Sequence, residues 1–297
     1  MNSLGGLLSL PATPPGLWCD AQGLRGPWRA GLYLVLVMGL VLVVAVAATH
    51  LPLPIAQSQV TPFFIGINEL LLLLPVLAAT ALLAWLEGCR FAQASFLGAG
   101  AWRLWPGTAA GLSLLALTLL GIGLTGHAHL VSGGLTLPSA LGHALAWGAA
   151  TLLIAATEEL AFRGYLLRVL TRRSFWPGAV FTSLLFGALH LGNQGEAWLG
   201  AATVTLAGLL LALAVQRTGA LWWSIGFHFG WDYAENFLFG TPDSGQLCAG
   251  ALLRVQPVGT PWLSGAAAGP EGSVIAFFLL LLAIVAVYAV FDVDQRA

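Results

Sequence analysis

The residues of this chain best suited to chemistry are a few acids and histidines that lie inside long apolar stretches. They are Glu69, Glu158, Glu159, His190, His228, Asp232 and Glu235. A charged side chain at the middle of a membrane helix costs about 2.5–3.5 kcal/mol on the insertion scale, so such residues are rare and mark functional sites. The pattern therefore predicts a polar site assembled from several helices inside a membrane.

Two adjacent glutamates precede an arginine by about one helical turn. Glu159 and Arg163 share a helix face and can pair, whereas Glu158 points about 100° away from that face. A carboxylate in an apolar pocket is a stronger base than one in water, which suits a general base acting near neutral pH. The alternative interpretation is a structural Glu–Arg pair with a spare glutamate that faces a polar cavity.

Two further apolar stretches place histidines beside other candidate residues. Phe186 and His190 lie one turn apart on one face, and His228, Asp232 and Glu235 form a polar stripe at i, i+4 and i+7. Such a stripe must face the bundle interior or water, because lipid offers no partner. It could serve as a buried packing network. If the three stretches converge, however, they supply a base, two imidazoles and a second acid, which is a hydrolytic set.

The composition indicates which elements must position these residues. The 297 residues are 58% hydrophobic and 8% charged, with a mean hydropathy of +0.88, whereas a soluble domain is about 25% charged. A water-soluble fold is excluded, and the net charge of −1 gives no case for a nucleic-acid partner. A spanning helix needs about 20 apolar residues. The predicted spans are 30–49, 63–86, 106–126, 140–167, 175–191, 197–215, 219–239 and 274–291.

The predicted fold is all-α, a polytopic membrane helix bundle of about eight transmembrane helices. We expect an irregular cytoplasmic segment at 1–29, three helices within 30–139, a catalytic core at 140–240, and an outer loop with the last helix at 241–297. The basic residues are all arginines; Arg163 lies within a span, and only Arg254 falls on the side opposite the remaining nine. By the positive-inside rule, both termini are cytoplasmic.

Three ordered motifs resemble those of the CAAX-protease and bacteriocin-processing superfamily. The motifs are Glu158-Glu159-x-x-x-Arg163, Phe186-x-x-x-His190 and His228-x-x-x-Asp232. The resemblance covers about residues 140–240, and the flanks are similar only in being hydrophobic. This family includes the eukaryotic prenyl-protein endopeptidase and bacterial relatives called lysostaphin-resistance-like. The resemblance implies an integral, multi-pass enzyme, here of a bacterial inner membrane, that hydrolyses peptide bonds.

The resemblance also implies roles for the motif residues. Glu158 would activate the attacking water, and His190 would help to hold it. Arg163 would fix Glu159, while His228 and Asp232 would stabilise the oxyanion. Asp232 stands where the family often has asparagine, and an ionised aspartate cannot donate a hydrogen bond to an oxyanion. Asp232 would therefore be protonated, orient His228, or ligate a metal.

Cofactors and competing functions complete these expectations. We favour a mechanism with no cofactor; zinc or another divalent metal, held by Glu158, His190 and His228, is the alternative. The expected partners are the lipid bilayer and a membrane-associated peptide or protein substrate, and the oligomeric state stays open. The alternatives to an endopeptidase are a non-catalytic membrane scaffold or immunity-type protein on the same fold, or a proton-coupled transporter with a relay through Glu158, Arg163 and Asp232.

Overall fold

The computed structural model describes residues 19–20, 23–51, 59–193, 198–243 and 245–291. The helices in these ranges are α1 (Gly26–Ala48), α2 (Pro62–Leu86), α3 (Phe91–Ala94), α4 (Leu104–Leu124), α5 (Leu137–Glu159), α6 (Tyr165–Leu170), α7 (Phe175–His190), α8 (Trp198–Thr218), α9 (Trp222–Tyr233), α10 (Pro261–Ser264) and α11 (Val274–Val290). Two π-helical segments, Leu160–Gly164 and Ala234–Leu238, continue α5 and α9. Short 3₁₀ turns occupy Ala101–Arg103 and Pro270–Gly272.

Each of the eight predicted spans coincides with a helix. Five stretches are long and apolar enough to cross a membrane: α1, α2, the 3₁₀ turn with α4, α5 through α6, and α8. Helices α7 and α11 are shorter apolar helices, and α9 with its π-helical segment coincides with the predicted span 219–239. The protein is an all-α membrane helix bundle, as the composition predicts.

The structure shifts some predicted boundaries. Helix α1 begins at Gly26 rather than at residue 30, with Pro27 in its first turn, where the missing N–H costs no hydrogen bond. The outer loop contains strand β4 (Leu253–Pro257), which pairs antiparallel with β3 (Ala128–Ser132). A smaller strand pair, β1 (Cys19–Asp20) and β2 (Gly23–Leu24), lies within the segment predicted to be irregular.

The outer faces of the helices are apolar, and the buried polar groups lie inside. Val35, Met38 and Leu42 of α1 are 65–70% exposed, whereas the ion-pairing side chains of Glu159 and Arg163 are fully buried. This is the reverse of a soluble protein, in which large exposed apolar patches are rare. A bilayer accounts for it, since lipid covers the apolar faces and the bundle interior shelters the charges.

Small residues bring α4 and α9 into very close contact. A Cβ added to Gly107 or Gly111 of α4 would lie 2.2 or 2.0 Å from the carbonyl oxygens of Trp223 and Phe227 in α9. Reciprocally, a Cβ on Gly230 of α9 would lie 2.2 Å from a carbonyl oxygen of α4. Such small-xxx-small pairs let two membrane helices approach to backbone contact. This contact fixes the height and rotation of α9, which carries His228 and Asp232.

Candidate active site

A cavity of about 310 Å³ opens among the central helices. Its polar lining comes from α2, α5, α7, α8, α9 and the outer loop, and comprises Glu69, Glu158, His190, Asn193, Thr203, His228, Trp231, Asp232, Glu235, Asp243, Gln246 and Glu271. The volume is at the lower end of the range for small-molecule sites and is large enough for part of a peptide. A cavity so rich in acids inside an apolar bundle is the strongest candidate for a functional site.

Glu158 and His228 face each other across this cavity. Oε2 of Glu158 lies 3.6 Å from Nε2 of His228, and Oδ2 of Asp232 lies 3.5 Å from the same nitrogen. The side chain of Glu158 is 30% exposed, whereas those of His228 and Asp232 are each 12% exposed. Glu158 is therefore the member of this set most accessible to a water molecule.

Glu159 contacts two cations or potential cations from different helices. Nη1 of Arg163 donates to Oε1 of Glu159 at 2.9 Å, as predicted from their spacing. The same Oε1 lies 3.1 Å from Nδ1 of His228, and because a carboxylate only accepts, Nδ1 must be the donor. Glu159 thus holds a proton on Nδ1 of His228, and the second ring nitrogen, Nε2, is turned toward the carboxylates of Glu158 and Asp232.

Aromatic contacts complete the support of this set. The guanidinium carbon of Arg163 lies 4.2 Å from the centre of the Phe186 ring, which is within cation–π range. The Phe186 ring is in turn 4.7 Å from that of His190 and 6.3 Å from that of His228. The Phe186 ring therefore has the buried Arg163 and both imidazoles as neighbours.

His190 is the last residue of α7 and lines the cavity. Its Nδ1 lies 2.8 Å from the carbonyl oxygen of Phe186, and since a carbonyl cannot donate, Nδ1 carries the proton. The neutral imidazole then presents a lone pair at Nε2. That nitrogen can accept a hydrogen bond from water or ligate a metal, as backbone-anchored histidines do.

The close packing of α7 on α8 fixes the position of this histidine. A Cβ added to Gly187 would lie 2.1 Å from Oγ1 of Thr205, and one added to Gly208 would lie 2.8 Å from Nη2 of Arg163. Both glycines are therefore sites of close approach between helices. Gly187 lies less than one turn before His190, and Gly208 packs against Arg163.

The two π-helical segments directly follow Glu158–Glu159 and Tyr233, and such segments are frequent at functional sites.

Each of the six residues selected from the sequence lies in or directly beside this cavity. Glu158, His190, His228 and Asp232 line it, while Glu159 and Arg163 support it from the buried side. The sequence did not assign Glu69, Asp243 and Glu271 to the site, although all three line the same cavity. Glu69 carried a signal, as an acid within a span. Asp243 and Glu271 carried none, because only the folding of the outer loop brings them in.

The fit of the suggested metal ligands can be tested on geometry. Among the described residues, the group of three potential ligands whose atoms all lie within 4.8 Å of one another is Glu235, Asp243 and Glu271. Glu158, His190 and His228 do not converge to that distance. In addition, Nε2 of His228 already faces two carboxylates. The set of Glu158, His190 and His228 therefore fits a metal less well than the sequence alone suggested.

Comparison with known proteins gives one match. Residues 140–234 match the model of the family described as type II CAAX prenyl endopeptidase Rce1-like. No curated protein and no solved structure matches the chain. The matched segment runs from α5 to the end of α9 and contains all three motifs. Over residues 140–234 the chain is similar to the Rce1-like CAAX-protease family, the resemblance that Glu158-Glu159-x-x-x-Arg163, Phe186-x-x-x-His190 and His228-x-x-x-Asp232 indicated.

Proposed function

We propose that this protein is an intramembrane endopeptidase that hydrolyses peptide bonds with a water molecule activated by Glu158. The observation that carries the proposal is the placement of Glu158, His190 and His228 around one cavity, with Glu158 Oε2 only 3.6 Å from His228 Nε2. A water molecule in this cavity that contacts both Glu158 and His190 would have a base and an accepting imidazole nitrogen as partners.

The reaction begins with proton transfer to Glu158. The water, held by Nε2 of His190, gives its proton to the Glu158 carboxylate while its oxygen attacks the scissile carbonyl carbon. The carbonyl oxygen becomes an oxyanion, and His228 as an imidazolium, with Nδ1–H donated to Glu159, stabilises it through the proton on Nε2. When the C–N bond breaks, the proton on Glu158 passes to the leaving amine. Glu158 thus acts first as base and then as acid, and ends the cycle ionised.

The remaining polar residues act as positioning residues. Glu159 accepts from Nδ1 of His228 and from Arg163, so it holds the imidazole with Nε2 directed into the cavity. Asp232 lies 3.5 Å from that Nε2. Of the three roles open to Asp232, this distance favours orientation of His228, because the carboxylate can hold the Nε2 proton until substrate arrives.

The substrate class follows from the position of the cavity. A bond cleaved here must reach the interior of a membrane helix bundle, so we propose membrane-associated peptides or proteins as substrates. The matched family's description names prenyl endopeptidases. The cavity of about 310 Å³ is bordered by acidic and imidazole groups, which suit a peptide backbone, and by apolar side chains such as Val204, Leu211 and Leu280, which suit an apolar part of the substrate.

We also propose an orientation of the helix bundle across the membrane. Arg29, Arg168 and Arg172 gather around Glu87 at one end of the bundle. We place that end in the cytoplasm by the positive-inside rule. The outer loop with β4 then lies on the opposite side, in a bacterial inner membrane with both termini cytoplasmic. Arg296, which the arginine pattern of the sequence assigns to the same side, falls outside the described residues.

The decisive experiment compares full-length wild type with Glu158→Gln in detergent or proteoliposomes. An internally quenched peptide library in ¹⁸O-labelled water should yield products whose new carboxyl group carries the heavy oxygen. Loss of the general base should slow cleavage by about 10²–10⁴-fold, with an unchanged gel-filtration profile. Equal cleavage by both proteins would overturn the mechanism, and absence of cleavage by wild type would favour the non-catalytic scaffold. Abolition by a chelator would indicate a metal-dependent reaction instead.

A further inference from the structure

Three acids form a compact cluster at the end of the cavity farthest from the arginine-rich end. Glu235 belongs to the π-helical segment after α9, Asp243 to the following loop, and Glu271 to the 3₁₀ turn before α11. Each offers a carboxylate oxygen within 4.8 Å of those of the other two. Three carboxylates from separate segments repel one another at such distances unless protons or a cation lie between them.

Glu235 supplies an independent observation that points to a ligand. The residue is 1% exposed, and its Oε2 accepts a hydrogen bond from Nε1 of Trp231 at 2.9 Å. Its Oε1 accepts no hydrogen bond from any group in the described part of the chain. A buried carboxylate oxygen without a donor is costly, and a coordinated cation removes that cost.

Neighbouring side chains orient two of the three acids. Nδ2 of Asn236 donates to Oδ2 of Asp243 at 2.8 Å, as Trp231 does to Glu235. Hydrogen bonds of this kind fix ligating carboxylates in metal sites. Among the described residues that line the cavity, none is an arginine. A cation bound between the three carboxylates would balance their charge together with the imidazoles of His190 and His228, which line the same cavity.

We propose that Glu235, Asp243 and Glu271 bind a divalent cation of the calcium type. The ligands are all oxygens, which hard cations prefer over zinc and other softer metals. Calcium accepts irregular geometry with about six to eight oxygens, so backbone carbonyls and water can complete a site built partly on a loop. Nothing in the proposed peptidase reaction requires this ion.

The ion would connect the outer loop to the helix that carries the active-site residues. Glu235 lies three residues after Asp232, and Asp243 and Glu271 lie on either side of the β4 hairpin strand. A bound cation would hold both ends of this loop, at positions 243 and 271, against the end of α9. It would thereby fix the outer wall of the cavity.

Trp231 provides a direct probe of the site. Its indole contacts Glu235, so terbium bound at the cluster as a calcium substitute would emit when tryptophan is excited. In full-length protein in detergent, we expect terbium emission that calcium displaces, and a higher thermal midpoint with calcium. Trp231→Phe should remove most of the emission. Undiminished emission in that variant, or no response of wild type to either ion, would overturn the proposal.

Substitutions that remove the negative charge but keep the size of the side chain then locate the ion. Asp243→Asn and Glu271→Gln should each weaken calcium binding by at least about tenfold, and the amide at 243 can still accept from Asn236. Glu158→Gln lies in the same cavity outside the cluster and should bind normally; loss of binding there would overturn the proposal. If one cluster variant fails to fold, the other and the wild-type titration still decide. Because binding needs no turnover, an inactive protein that binds calcium would refute only the proposed peptidase function.

Discussion

Oε1 of Glu159 lies 3.1 Å from Nδ1 of His228, so the glutamate paired with Arg163 also holds an imidazole on the neighbouring helix. This contact distinguishes the structural roles of two adjacent glutamates. Glu159, which is fully buried, positions His228, whereas Glu158, which is 30% exposed, faces the cavity. Because the two side chains point about 100° apart on one helix, a single helical turn supplies both the proposed general base and the residue that positions His228.

The first prediction separates the two glutamates by stability. Glu159→Gln should lower the free energy of unfolding by about 3 kcal/mol or more, because it leaves the buried charge of Arg163 without its counter-ion. Glu158→Gln should cost about 1 kcal/mol or less, as a partly exposed substitution does. Thermal unfolding of both variants in one detergent measures the difference. Equal midpoints would show that the Glu159–Arg163 pair is not the buried support described above.

A second prediction concerns the planar guanidinium of Arg163. Arg163→Lys keeps the positive charge but loses the stacking over Phe186 at 4.2 Å and the directional hydrogen bond to Glu159. We expect peptide cleavage to fall by about tenfold or more, because Phe186 contacts the ring of His190.

Arg217 offers a matched control for this substitution. Its guanidinium lies 4.1 Å from the Tyr288 ring, almost the same stacking geometry, at a site that does not line the cavity. Arg217→Lys should therefore lose a similar stacking contact and retain cleavage. If both variants lose activity equally, the effect is on the bundle as a whole and Arg163 has no special role at the site.

The sequence predicts the helices well because lipid imposes a simple rule on length and polarity. All eight apolar runs coincide with helices, and the i,i+4 pairing of Glu159 with Arg163 is present. These features depend only on local spacing. The strand pair β3–β4 and the π-helical segments were not predicted, since they arise from contacts between residues far apart in the chain.

The helix-borne motif residues of the candidate site were predictable from the sequence, but the contacts between helices were not. Intramembrane charge singled out Glu158 and His228, yet no local pattern specifies the register of α5 against α9 that brings Glu159 to His228. The loop acids Asp243 and Glu271 were not assigned to the site for the same reason, although both line the cavity. Their approach to Glu235 depends on the return of the outer loop, which the spacing of apolar residues does not encode.

A third prediction tests the close packing of α4 on α9. Gly111→Ala would place a Cβ 2.0 Å from the carbonyl oxygen of Phe227, so the helices must separate. We expect a loss of stability of about 1–3 kcal/mol and a larger loss of cleavage, because Phe227 precedes His228. Gly142→Ala in α5 meets nothing within 4 Å and is the control. A lowered thermal midpoint in the control but not in Gly111→Ala would contradict this packing.

The last prediction concerns acid stability at the arginine-rich end of the bundle, where Glu87 closes α2. Burial alone would raise the pKa of Glu87, but the hydrogen bond from Tyr165 and the charges of Arg29, Arg172 and Arg168 outweigh it and hold that pKa below its ordinary value. A lowered pKa in the folded state stabilises the fold at pH values above the ordinary glutamate pKa of about 4.3, and this contribution is lost as the pH falls through the folded-state value.

Glu87→Gln removes this titration and isolates its contribution. At neutral pH the variant should have a lower thermal midpoint than wild type, because Arg29, whose side chain is 5% exposed, loses the carboxylate 2.9 Å away. As the pH falls below about 4, the two midpoints should converge, since the wild-type carboxylate becomes protonated. Thermal scans from neutral to acid pH measure the gap directly. A gap that stays constant across this range would mean that Glu87 contributes through packing rather than through its charge.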